Sequence, residues 1–270
     1  MRNNTCLYLI VCAVAFAISS CGSSYNIKGS SDVAVLDGQK FYLKTFQNDE
    51  FKDIDSCDVV HGQFKFTGTT DSVRLAYLTN DASILPLILE GGDISIQLNM
   101  AEEKVSGTAL NDKFMEFRKQ LNKITGEIDD LTHKQSQGIM NGENEDSLNM
   151  ALSQEFVMLN ARQDSLITNF ICNNFDNVLG SAAFQFVTFP IVIQQGAQLS
   201  PWIEEIMSKA NDTFKNDPYV KKYMEQAKQV EGIMNGTVEL PQQNAQQPAP
   251  TPDTAPVTPN QLAAPADSAR

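Results

Sequence analysis

The sequence predicts an α+β protein: an N-terminal antiparallel β-sandwich or partly open barrel, then an antiparallel helical hairpin with further helices, and a disordered C-terminal tail. Three observations predict it. Apolar residues alternate with polar ones between Tyr25 and Thr108, the apolar period lengthens to that of a helix at Leu110, and past Leu240 the chain turns to Pro, Ala, Gln and Thr. These shifts set the expected divisions: a signal peptide at 1–20, a β-domain at 21–108, a helical domain at 109–236 and a tail at 237–270.

Within the β-rich stretch, Phe41-Tyr42-Leu43-Lys44-Thr45-Phe46, Phe64-Lys65-Phe66-Thr67 and Ile94-Ser95-Ile96-Gln97-Leu98 alternate with period two, which buries one face of each strand. Asp37-Gly38, His61-Gly62 and Gly91-Gly92 punctuate them, each suited to positive φ in a tight turn. About seven or eight strands at such spacing fit a sandwich or a partly open barrel.

From Leu110 the apolar positions Phe114, Phe117, Leu121, Ile124, Ile128 and Leu131 recur at alternating steps of four and three, a heptad seam. A polar, Gly-containing break is expected from Gln135 to Asp146. A second seam then runs through Leu152, Phe156, Leu159, Leu166 and Phe170, with Gln163 in register. Two such helices joined by a short turn make an antiparallel αα-hairpin. Further helices are expected at Ser181 to Val187, Pro201 to Phe214 and Pro218 to Met234, both prolines sitting in a first turn where no N–H is needed. Gly-Ile-Met-Asn-Gly occurs at 138–142 and again at 232–236 and reads as a helix stop, because Gly and Asn accept the left-handed conformation that ends a helix.

The Pro-rich end lacks the apolar residues that would offset the entropy of ordering it. It serves either as a spacer towards a partner or as a solubilising end. Asp253-Thr254-Ala255 and Asp267-Ser268-Ala269 resemble an O-glycosylation motif of some Gram-negative bacteria, which makes Thr254 and Ser268 candidate acceptors.

At the other end, Arg2, an apolar stretch from Leu7 to Ile18 and the small Ser19 and Ser20 make a secretory signal, too short to span a bilayer that needs roughly 20 apolar residues. Ile18-Ser19-Ser20-Cys21-Gly22 resembles the lipobox of bacterial lipoproteins. The resemblance implies that Cys21 takes a lipid on its thiolate and becomes the first residue after cleavage, and several acyl carbons at about 0.8 kcal/mol per methylene make such an anchor durable. Gly22 in place of the Asp that retains such proteins at the inner membrane implies an outer-membrane lipoprotein. Ser23-Ser24-Tyr25-Asn26-Ile27 lacks the acidic cluster of surface export, so the periplasmic face is expected.

A formal charge of -13 repels phosphate backbones and anionic headgroups, so nucleic acid is not an expected partner. Of the 5 cysteines, Cys6 and Cys12 leave with the signal and Cys21 takes the lipid. Cys57 and Cys172 remain. Paired, they would close a long loop worth on the order of 4 kcal/mol; unpaired, they are two buried and inert thiols.

Asp37 to Leu43, Ile54 to Gly68, Leu89-Glu90-Gly91-Gly92-Asp93-Ile94 and Val105-Ser106-Gly107-Thr108 with Asn111, in that order and spacing, resemble the domain of unknown function that precedes the thioredoxin module in periplasmic thiol–disulfide oxidoreductases of the TlpA/ResA type. Asn169-Phe170-Ile171 through Asn177 and Asp217-Pro218-Tyr219-Val220-Lys221-Lys222 are similar to the linker helices of those proteins. Their redox chemistry needs a low-pKa Cys, usually in Cys-x-x-Cys beside a Trp. No Cys-x-x-Cys occurs here and Trp202 has no cysteine near it in sequence, so the oxidoreductase activity carries over to no residue.

Metal catalysis draws on His and Cys, and only His61 in a turn and His133 near a helix end are offered. Asp129-Asp130 and Glu143 to Asp146 show no EF-hand spacing and read as solvated faces. No nucleophile elbow, zinc-protease pair, phosphate loop or dinucleotide fingerprint is found. No catalytic residue, metal or cofactor is therefore expected. Cys57 is a candidate docking thiol for an oxidoreductase, or a small residue buried in a strand; Asp55 and Asp58 beside it disfavour the thiolate. The expected function is a noncatalytic envelope lipoprotein acting as an interaction or scaffold module, with an envelope protein as partner. Two alternatives stand beside it: an accessory of periplasmic thiol–disulfide homeostasis, and an envelope glycan hydrolase with dispersed carboxylates.

Overall fold

A computed structural model describes residues 22–47, 50–80, 83–100 and 102–237. The signal segment, Cys21, Thr254, Ser268 and the tail from residue 238 lie outside the described residues.

Eight strands come first: β1 (Ser23–Ser31), β2 (Lys40–Gln47), β3 (Glu50–Asp58), β4 (Gln63–Thr70), β5 (Arg74–Thr79), β6 (Ile84–Leu89), β7 (Gly92–Leu98) and β8 (Glu103–Ser106). They form two four-stranded sheets, ordered β4-β1-β7-β8 and β3-β2-β5-β6. β1 pairs with β7 in parallel, whereas every other strand pairing is antiparallel, so the first sheet is mixed and the all-antiparallel expectation is corrected there. The long excursion of the chain through the second sheet between β1 and β7 allows the parallel pairing, which no short hairpin can make. At His61-Gly62 both residues take positive φ, 52° and 69°, and Val60 and Gln63 exchange backbone hydrogen bonds across them, a two-residue turn whose twist suits a hairpin.

The alternating apolar residues meet between the sheets: Tyr25, Ile27, Phe41, Leu43, Phe64, Phe66, Ile94 and Ile96 share one core with Leu78, Leu87 and Leu89. Two aromatic residues there lie over glycines on the neighbouring strand, Phe64 over Gly29 and Tyr25 over Gly68, where a Cβ would come within 1.9 and 2.5 Å of the ring carbon and the hydroxyl. In the second sheet, β5 and β6 are buried on both faces. Leu75, Tyr77 and Ile88 point away from the first sheet into a second core that they share with the helices. This is why β5 and β6 read as near-continuous apolar runs.

Six helices follow: α1 (Ala109–Met140), α2 (Glu145–Cys172), α3 (Val178–Gln195), α4 (Pro201–Lys209), α5 (Asp212–Lys215) and α6 (Pro218–Met234). α1 and α2 form the antiparallel hairpin, with a shorter break than expected, because α1 continues through Gln135 and Gly138 to Met140. Leu148 packs against the bare backbone at Gly138, where a Cβ would meet it at 2.6 Å. Both Gly-Ile-Met-Asn-Gly segments end their helices in the same way: Gly142 and Gly236 take positive φ, and Glu143 and Thr237 donate back to Gly138 O and Gly232 O. The expected helix from Pro201 to Phe214 is two, since the Asn211 side chain accepts from Phe214 N and restarts the chain as α5.

The first seam holds, with Phe114, Phe117, Leu121, Ile124 and Leu131 buried. The second is rotated. Phe156 is 49% exposed, whereas Ile167, Thr168 and Ile171 are buried, because the base of α2 also packs on α3 and α4. α3 is long and apolar enough by composition to cross a membrane, and here Leu179, Ala182, Ala183 and Phe184 seat it in the helical core.

Candidate functional site

The helices are joined to the second sheet at two places, and a cleft opens between them. The first is the outer edge of β6. Asn111, in the first turn of α1 and 1% exposed, accepts from Ile88 N at 2.8 Å and donates to Ile88 O at 2.7 Å, so its amide takes the place of a missing strand. Two turns further, Arg118 Nη1 donates to Pro86 O at 3.5 Å while Nη2 faces Glu103 Oε2 at 3.8 Å. Burial pulls the Arg118 pKa down and Glu103 holds it up. Pro86 has no N–H to leave unpaired on this edge, which is where a strand proline is tolerated.

The second joint is aromatic. Phe46 and Phe51, paired across β2 and β3, pack edge-to-face with each other at 5.2 Å, and Phe189 of α3 meets Phe46 at 4.8 Å and Phe51 at 5.9 Å. Phe51 also meets Tyr77 of β5 at 5.3 Å.

Between β2 and β5 the register runs only through Tyr42↔Thr79, Leu43↔Leu78 and Lys44↔Tyr77. Past Lys44 the ladder between the two strands stops while they keep their outer partners, β3 and β6, and Thr45 still reaches Leu75 O through its side chain. The fork so formed widens into a cleft of about 560 Å³ lined by Thr45 to Gln47 on one side, Ser72 to Leu75 on the other, and the first halves of α3 and α6 above. Such a volume at a junction of two layers is typical of small-ligand sites.

Its lining mixes polar, charged and aromatic side chains. Thr45 Oγ1 donates to Leu75 O at 3.4 Å across the fork. Arg74 pairs with Asp71 at the rim and donates to Ser72 Oγ at 2.8 Å. The carboxylate of Asp217 is occupied in capping α6, accepting from Tyr219 N at 2.9 Å and Val220 N at 3.2 Å. The Tyr219 hydroxyl is hydrogen bonded to Thr188 Oγ1 at 3.0 Å. Gln185 differs from these: it is 9% exposed, sits on α3 beside the fully covered Ala183 and Phe184, and opens into the cleft. Its amide makes no hydrogen bond to the described residues, and its N and O are not fully buried, so they reach solvent through the cleft. Behind the cleft the Tyr77 hydroxyl is buried without a partner among the described residues, and burial, aided by Tyr219, pushes its pKa well up.

The residues singled out from sequence lie elsewhere. Cys57 is half-buried in β3 against the inter-sheet core and is free. Burial raises its thiol pKa, Asp55 and Asp58 raise it further, and a backbone hydrogen bond at Lys65 and the charge of Lys40 pull the other way. Cys172 ends α2 against the helical core, also free, so the alternative of a disulfide between them is not formed. His61 is in the hairpin turn, His133 is exposed on α1, Asp129 and Asp130 are exposed, and Glu143 to Asp146 surround the hairpin loop. No group of three or more His, Cys, Asp or Glu among the described residues is placed to hold a metal ion. Trp202 lies on α4 with its ring 6.3 Å from that of Phe184.

Gln185 belongs to no motif and was not among the residues expected at a site. The available signal was a lone amide inside Ala182-Ala183-Phe184-Gln185-Phe186-Val187, a polar side chain in a run otherwise suited to burial. Asn111 was noticed only as part of the resemblance; its capping of Ile88 is a property of the fold.

Residues 25–114 match the family model described as Domain of unknown function (DUF4369). The match covers all the strands from Tyr25 onward and ends in the first turns of α1, just after the residue that caps β6. No curated protein and no solved structure matches the chain.

Proposed function

We propose that this chain, with a DUF4369 domain at residues 25–114, is a noncatalytic interaction module of the bacterial cell envelope. In this reading it is held at the periplasmic face of the outer membrane by lipid on Cys21 and receives a protein partner in the fork between β2, β5 and α3. The observation that carries the binding half is Gln185. Its side chain is 9% exposed, makes no hydrogen bond within the described residues and opens into the cleft, where a ligand can take its donors and acceptor. The anchoring half rests on Ile18 to Gly22.

Two measurements test it. Intact-mass analysis of the protein from native membranes is expected to find acylated Cys21 at the amino end, and Cys21→Ser is expected to release the chain into the soluble fraction. A photocrosslinking residue placed in cells at Val73, on the cleft and 43% exposed, is expected to capture a protein that the same residue at Asn122, on the outer face of α1, does not. Equal capture at both positions refutes the cleft. Capture of a thioredoxin-family protein through Cys57 would instead favour the thiol–disulfide reading.

A further inference from the structure

We infer that two copies of this chain pair through the outward face of α2, antiparallel about a two-fold axis at Gln154. The contact is separate from the cleft and needs nothing from it.

α2 carries two seams. One faces α1: Leu148 packs at Gly138, Glu155 pairs with Lys134, and Gln163 Nε2 donates to Thr125 Oγ1 at 3.1 Å. The other is turned to solvent. Met150, Gln154, Val157 and Ala161 recur at steps of four, three and four, with Ala151 and Met158 alongside, and all six are exposed. Met150, Val157 and Met158 are 66%, 66% and 65% exposed. A helix apolar on two sides calls for two neighbours, and among the described residues the outer half of α2 has α1 alone.

Three observations make the second neighbour another copy. From Ser147 to Ala161 the only charged side chain is Glu155, which is paired with Lys134, so two chains of formal charge -13 can meet on this face without repulsion. The seam reads alike in both directions from Gln154, with Met150 and Met158 four residues to either side and Ala151 and Val157 three. A two-fold contact requires such self-complementarity. A carboxamide both donates and accepts, so the two Gln154 side chains hydrogen bond to each other at the axis, and a lone polar residue in an apolar seam fixes its register. The chain's own residues 241–270 offer only Val257 and Leu262 as large apolar side chains, too few to cover the seam instead.

The base of α2 sets the direction of pairing. Ile167 and Ile171 are buried in the helical core. With the axis at Gln154, Ile167 and its copy stand about 40 Å apart along the helices, one folded body at each end of the contact. A parallel pair would drive the two bodies into each other. The two seams together bury on the order of 1,000 Å², the low end for specific association, so the pair is reversible.

The test is made in cells on the full-length chain, expressed as two copies with different epitope tags and a photocrosslinking residue at Ser165, exposed near the base of α2. Illumination is expected to give a species of twice the chain's mass that carries both tags, its crosslink mapping to residues 141–144 of the other copy. Gln154→Glu in both copies, or Gln154→Lys in both, sets like charges at the axis and should cut the yield at least about fivefold. Gln154→Glu in one copy with Gln154→Lys in the other should restore it. Gln154 is exposed, so all these chains should accumulate to the same level, and the crosslinker at Asn122 of α1 should give no doubly tagged species.

Absence of that species with Gln154 unchanged, or a yield indifferent to the charges at this position, would overturn the inference. A crosslink from Ser165 to Ser165 would overturn the antiparallel arrangement. Capture of a different protein at Ser165 in place of a copy would show that the second neighbour of α2 is not this chain.

Discussion

Replacing Asn111 with Ala should destabilise the protein more than any change at an exposed helical position. Its amide makes three hydrogen bonds, with Ile88 N, Ile88 O and Thr108 Oγ1, at 2.8, 2.7 and 2.8 Å, and Ile88 is fully buried. Alanine is the better helix former, a gain of at most about 0.7 kcal/mol. Against it stand one N–H and one C=O left unpaired away from water, at about 1–3 kcal/mol each. The loss wins by about 1–5 kcal/mol. With a urea slope of about 1–3 kcal/mol/M, the midpoint of unfolding should fall by on the order of 1 M. Hydrogen exchange gives the local reading, because the Ile88 amide should lose protection well ahead of Leu87, its neighbour on the strand. Asn122→Ala, at an exposed position of the same helix, is the control. A midpoint for Asn111→Ala that matches the control, with Ile88 still protected, would refute the claim that this amide closes the sheet.

Four further outcomes follow from the packing and the charges. Gly29→Ala should cost about 1–3 kcal/mol by thermal melting, since the new methyl would occupy the space of the Phe64 ring, which is 5% exposed and has nowhere to move. Phe117→Ala, at a ring 2% exposed and stacked on Phe170 at 4.2 Å, should cost about 3–5 kcal/mol. Phe156→Ala, half-exposed in the equivalent seam of α2, should cost well under half as much in the same denaturant titration. Tyr77 has a folded-state pKa raised above its ordinary 10.0, so its contribution is fully present below that pH and is lost as pH rises through the higher folded value. Tyr77→Phe should leave the neutral melting temperature unchanged or higher and flatten its alkaline fall. Cys57 should react with iodoacetamide at pH 8 more slowly than glutathione and reach full labelling only in denaturant; prompt labelling of the native protein would contradict its raised pKa and partial burial.

What the sequence disclosed was whatever is local. Period-two alternation marks β2, β4 and β7 because each buries one face, and Gly-Ile-Met-Asn-Gly marks two helix ends because a stop is a matter of φ at one residue and two backbone hydrogen bonds. What depends on a third partner was hidden. Ile84-Leu85-Pro86-Leu87-Ile88-Leu89 has no period to reveal that one face meets a sheet and the other a helix. The seam of α2 is shared between two neighbours at its base and one at its tip, so heptad spacing placed Phe156 in a core that does not extend that far. The parallel pairing of β1 with β7 joins residues Tyr25 and Gly92, and nothing in either segment encodes the other.

The fork shows why such a non-local feature can be stable. Closing it would add ladder hydrogen bonds over about three residues of β2, each worth about 0.5–1.5 kcal/mol net. Holding it open are the contacts of Phe46 and Phe51 with Phe189, each worth about 0.5–1.5 kcal/mol beyond the area they bury. The two sums are of the same size, so aromatic anchoring on α3 can draw the end of the β2–β3 hairpin away from β5 at little net cost. The Thr45 hydroxyl offsets part of the lost ladder, since its Oγ1 donates to Leu75 O at 3.4 Å where a main-chain bond would otherwise run.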